Sequence, residues 1–86
     1  MHYRNGREAK NGDKIVFLGF DSGVITAFGT LRDATPGSDY CNGYIQTGRE
    51  PSITNDPIAC MCDCLHVEDV AEILAEKGLG KRPDGK

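Results

Sequence analysis

The chain has 86 residues, 38% of them hydrophobic and 27% charged, with no tryptophan. A chain of this length makes one domain around one small core. Its formal charge of −3 is laid out unevenly. Residues 1–20 carry four cations against two acids, residues 21–76 carry only Arg32 and Arg49 against ten acids, and residues 77–86 carry four cations against one acid. An acidic middle is poorly suited to tracking a phosphate backbone, so nucleic acid is disfavoured as a partner.

Eleven glycines and four prolines imply many turns and several short elements. The longest apolar run, Ile15 to Phe20, is far short of the roughly 20 residues that span a bilayer. The N-terminus, with Arg4, Arg7, Glu8 and Lys10, lacks the apolar stretch of a signal peptide. The expectation is a cytoplasmic protein without membrane contact, whose four cysteines stay thiols in a reducing compartment.

In chain order, Asn5-Gly6 marks a tight hairpin of the type I′ kind, and Asn11-Gly12-Asp13 marks a second turn. Lys14 to Leu18 is β-branched and aromatic and reads as a buried strand. After the turn at Asp21-Ser22-Gly23, Val24 to Leu31 reads as a longer strand, with Gly29 marking a bulge or sharp bend. Gly43 to Thr47 is a third strand, set within the turn-rich stretch 33–57. Ile58 to Leu65 is the fourth.

One helix is expected over about residues 67–77. Val67, Val70, Ala71 and Leu74 form an apolar stripe at i, i+3, i+4 and i+7. Glu68, Asp69 and Glu72 suit its N-terminal end and Lys77 its C-terminal end, while Gly78, Gly80 and Pro83 stop it. Residues 1–79 are therefore read as the domain and 80–86 as a flexible tail. The expected class is mainly β: a small barrel or strongly bent antiparallel sheet of four or five strands, covered by the terminal helix. Expected core members are Ile15, Phe17, Val24, Phe28, Leu31, Ile45, Ile58, Leu65, Val70 and Leu74.

The opening residues Tyr3, Asn5-Gly6, Glu8-Ala9, Gly12-Asp13 and Ile15-Val16, followed by Gly23-Val24-Ile25, resemble the start of SH3-like small β-barrels of the KOW type. The resemblance covers roughly residues 3–31 and implies a curled barrel. It also implies nucleic-acid association, for which Arg4, Arg7, Lys10 and Lys14 would be the contacts. The chain departs from the KOW pattern in being acidic where that family is often basic. Fold analogy does not supply a function.

Cys60, Cys62, Cys64 and His66 alternate, so on a regular strand they would share one face. With Cys41 they are the candidate metal ligands, and zinc is the ion such donors would take. Alternate residues lie roughly 6.6–6.8 Å apart along a strand, too far for two thiolates to share a tetrahedral ion unless the strand bends. The same spacing disfavours a disulfide between neighbours. Core packing is therefore the preferred reading of the cysteines, with no cofactor, ahead of metal and redox alternatives.

His66 at the strand-to-helix junction suits capping better than a nucleophile-and-base pair with Cys64 or Asp69. No constellation of acid, base and nucleophile can be assembled, and an enzyme is not expected. The leading expectation is a non-enzymatic interaction module, monomeric or homodimeric. It would present loop 33–57 to an unknown protein partner, with Tyr40, Tyr44 and Arg49 as the contact residues.

Overall fold

The computed structural model describes residues 1–19, 24–35 and 42–85. Five strands form one antiparallel sheet: β1 (Lys14–Phe17), β2 (Ala27–Arg32), β3 (Asn42–Gln46), β4 (Ile58–Cys60) and β5 (Cys64–His66). Among the described residues there is one α-helix, α1 (Val67–Glu76), which follows β5 directly. The order across the sheet is β4-β3-β2-β1-β5.

That order forces the sheet to curl. Its two edge strands, β4 and β5, are consecutive in sequence and joined only by a 3₁₀ turn, Met61–Asp63. In a flat sheet of five strands the edges would lie about 19 Å apart. The step from Cys60 to Cys64 reaches about 14 Å at full extension. The strands therefore bend into a half-barrel, as the sequence predicts for the fold class.

The bend is built at Gly29. A Cβ there would run into the backbone of Gln46, so only glycine lets β2 pass this close to β3. Gly29 pairs with Ile15 of β1, and the pairing with β3 begins one residue later, at Thr30 with Gln46. From Thr30 onward β2 is paired on both sides, with Lys14 of β1 and Gln46 of β3.

Alternation decides the core. Ile15, Leu31, Ile45, Ala59 and Cys64 point inward and are buried, together with Met61 from the 3₁₀ turn and with Tyr3, Ala9 and Ala34. Fully burying side chains the size of Ile15, Leu31, Ile45 and Met61 stabilises the fold by about 1.5–3 kcal/mol each. Phe17 packs against this cluster and remains partly buried.

Several expected core residues lie elsewhere. Val24 precedes β2, which starts only at Ala27, and is 60% exposed. Phe28 and Ile58 are out of phase with the inward positions Gly29, Leu31 and Ala59, and both are exposed. Leu65 is half-buried for the same reason, flanked by buried Cys64 and His66.

The helix also departs from expectation. It was to cover the sheet, with Val70 and Leu74 in the core, yet no residue of α1 is buried. Val70 is half-buried, and Ile73 (48%) and Leu74 (41%) are exposed. No loop separates α1 from edge strand β5, so the helix has no length of chain with which to fold back across the sheet.

The N-terminal hairpin is held by Tyr3 N–H donating to the Arg7 carbonyl (2.8 Å) and Gly6 N–H to the Tyr3 carbonyl (2.9 Å). A type I′ turn needs positive φ at both Asn5 and Gly6. Only Gly6 has it (φ +90°), which corrects the expected turn type. Arg4 N–H donates to the Cys64 carbonyl (3.1 Å) and so lays this hairpin along β5.

Candidate functional site

The expected single strand through the cysteines is broken at Met61–Asp63, and this separates the alternating residues into different environments. Cys60 ends β4 and is half-buried, Cys62 lies in the turn and is exposed, and Cys64 begins β5 and is buried. The turn brings the Cys60 and Cys62 sulfurs to 2.9 Å, well inside the spacing that a straight strand would impose. Met61, fully buried between them, fixes the turn to the core.

Cys64 belongs to the core. Its thiol donates to the Cys60 carbonyl (3.5 Å), and burial, reinforced by the charge of Asp63, pushes its pKa up to about 12. His66 is also turned away from the other cysteines. Its Nδ1 accepts from the Glu68 N–H (3.0 Å), which caps α1. Its Nε2 lies 3.8 Å from Asp13 and 3.9 Å from Glu68. Among the described residues no three potential ligands come together, and Cys41 lies outside them.

Asp13 links the hairpin to this junction. It accepts from the Tyr3 hydroxyl (2.6 Å) and the Lys10 N–H (3.1 Å). Tyr3 is buried, and burial followed by the carboxylate of Asp13 raises the pKa of its phenol. Its ring meets His66 edge-on at 6.3 Å. Above this network lies an open polar notch of about 350 Å³, lined by Arg7, Glu8, Lys10, Asp13, His66 and Glu68.

The N-terminal cations are mostly engaged within the chain. Arg4 pairs with Asp63 (3.2 Å) and donates to the carbonyls of Cys62 (3.0 Å) and Gly19 (3.2 Å). Arg7 pairs with Asp69 (3.2 Å) and Glu68 (3.6 Å). Lys14 donates to the Thr30 hydroxyl (2.6 Å), while the Lys10 side chain is exposed. Asp69, which also accepts from Asn5 (2.9 Å), has its pKa lowered by that bond and by Arg7.

Of the expected contact residues, Tyr44 lies on the outer face of β3 and Arg49 is exposed in the following loop. Tyr40 lies outside the described residues. The cation on the Tyr44 ring is Arg32, 4.3 Å from its centroid. Arg32 also binds buried Asp56 through Nε (3.1 Å) and a terminal nitrogen (2.9 Å). Sequence reasoning gave Asp56 no role. The available signal was Arg32 itself, one of two cations in a 56-residue acidic stretch.

The first turn of α1 rests against β5 and the hairpin, whereas its C-terminal part leaves an apolar surface exposed. Ile73 and Leu74 are exposed beside half-buried Val70, and Leu79 (67% exposed) extends the apolar surface past the helix end. Leu79 is held there by its N–H donating to the Leu74 carbonyl (2.8 Å). No helix among the described residues is long and apolar enough to cross a membrane. Comparison of the chain with protein-family models, with curated proteins and with solved structures gives no match.

Proposed function

We propose that the chain is a cytoplasmic, non-enzymatic interaction module of SH3-like type, and that α1 is its docking element. The observation that carries the reading is an amphipathic helix with no buried residue, on a body whose core is complete without it. An apolar stripe left in water is a cost that a partner removes. The edge strands joined through one 3₁₀ turn support the SH3-like part of the reading.

The partner is a second copy of the chain. Acids Glu68, Asp69, Glu72 and Glu76 run along α1, and cations Lys77, Lys81 and Arg82 follow its end. An antiparallel pair sets the acidic start of each helix beside the basic segment that follows the other and opposes the helix dipoles. A parallel pair would set acid against acid. One helix face is smaller than the ~800 Å² per partner of a standard interface, so the dimer is weak and concentration-dependent.

Engagement of Arg4 and Arg7 by internal acids weighs against nucleic-acid binding through the hairpin. Amide chemical shifts followed as the protein is concentrated test the self-association. Shifts should move together over α1 and Leu79. Shifts that stay fixed at every concentration, or that move only in loop 47–57, would overturn the reading.

A further inference from the structure

The Cys60–Met61–Cys62 turn presents a pair of thiols that core packing does not explain. Their sulfurs lie 2.9 Å apart. Two thiolates around a tetrahedral zinc sit about 3.8 Å apart, and no third ligand joins them among the described residues. The two thiols are in direct contact, and a side-chain movement of about 0.9 Å brings the sulfurs to disulfide bonding distance. We propose that Cys60 and Cys62 are a dithiol–disulfide couple that exchanges with low-molecular-weight disulfides.

The surroundings suit that chemistry. Cys62 is exposed, so a small disulfide reaches its sulfur, and Cys60 stands behind it to complete the exchange. Buried Met61 holds the turn from below, while Arg4 grips the Cys62 carbonyl and Asp63 from above. Cys64, buried and with its thiol held protonated, is poorly placed to compete. In the first step the Cys62 thiolate attacks one sulfur of the reagent, breaking its S–S bond and releasing one thiolate. The Cys60 thiolate then attacks the Cys62 sulfur of the mixed disulfide and releases the second. The protein loses two electrons and two protons, and the reagent is reduced to two thiols.

The test incubates the reduced full chain with mixtures of oxidised and reduced glutathione, quenches by alkylation, and maps the products by tandem mass spectrometry. The wild type should lose two hydrogens, placed between Cys60 and Cys62, with little retained glutathione. Cys60→Ser should accumulate a stable glutathione adduct on Cys62, since the resolving thiol is gone. The proposal is overturned if the wild type stays fully reduced in an excess of oxidised glutathione. It is also overturned if the bond maps to Cys41 or Cys64, or if the wild type retains as much adduct as Cys60→Ser. The wild-type mapping decides the matter even where a variant folds poorly.

Discussion

Arg32 and Asp56 form a two-point ion pair, with Nε and a terminal nitrogen of the guanidinium both on Asp56 Oδ2, at 3.1 and 2.9 Å. The Asp56 side chain is 1% exposed, and it also accepts from the backbone N–H groups of Ser52 (2.9 Å) and Thr47 (3.3 Å). One carboxylate thus closes the loop after β3 onto the outer face of β2. The same guanidinium lies over Tyr44, so the loop, two strands and an aromatic ring share a single anchor.

Removing one partner leaves the other charge poorly compensated. Asp56→Ala should lower the melting temperature by on the order of 10 °C, more than Arg49→Ala at an exposed neighbouring position. The Ser52 N–H, aided by Arg32 and the Thr47 N–H, holds the Asp56 carboxyl below the usual carboxylate range. Its folded pKa is therefore depressed, and its stabilisation is complete above the unfolded value of about 3.9. It is lost as pH falls below that value through the folded pKa. Melts of wild type and Asp56→Asn should differ at pH 7 and at pH 5 and converge in stronger acid. A gap unchanged at pH 2 would show that the carboxylate charge is not what anchors the loop.

Cys64 gives a prediction at the opposite end of the scale. Its thiol is raised to about 12 by burial and by Asp63, so in the folded state it stays protonated where an unfolded cysteine has ionised. Its contribution is complete below the unfolded value of about 8.5 and declines as pH rises from there toward the folded one. Alkylation of the native protein at pH 9 should modify Cys62 readily and spare Cys64 until denaturant is added. Equal native rates would contradict its assignment to the core.

Gly29→Ala tests the origin of the curl. The added methyl group meets the Gln46 backbone, which cannot turn aside as a flexible side chain would. We expect destabilisation by about 1–3 kcal/mol, as for other overpacked positions, read from urea unfolding. Gly48→Ala, whose Cβ meets nothing within 4 Å, serves as the control. Equal effects at both positions would remove the close approach as the cause.

These positions differ in how far the sequence exposes them. Gly29 is legible because a glycine inside an otherwise β-branched and aromatic run needs a reason, and the bend supplies it. The phase of each strand is less legible. Phe28 and Ile58 are as apolar as Ile15 and Leu31, and only the pairing registers decide which of them face inward, while Val24 falls before β2 begins. The cysteine spacing was readable as a strand because nothing in Cys60-Met61-Cys62-Asp63-Cys64 announces a 3₁₀ turn. The break follows from closure of the sheet, a long-range requirement that local pattern does not carry. The stripe on α1 was visible, but an apolar stripe looks the same whether it faces the chain's own sheet or another molecule.

Charge reversal tests the orientation of the α1 pair. Lys81→Glu together with Arg82→Glu should weaken self-association several-fold at low salt. Adding Glu68→Lys and Glu72→Lys to the same chain should restore part of it. Because Glu68 also meets Arg7 (3.6 Å), the fold of the fourfold variant is checked by its melt. Sedimentation that ignores both sets of changes would contradict the antiparallel arrangement.

The most direct measurement is sedimentation velocity of the full chain from micromolar to millimolar concentration, beside Leu74→Glu. Leu74 is outside the core and exposed, so the variant should fold and melt as the wild type does. The account predicts that the wild type moves from monomer to dimer across this range while Leu74→Glu remains a monomer. A wild type that stays monomeric at the highest concentration, or a variant that dimerises equally well, would contradict α1 as the docking element.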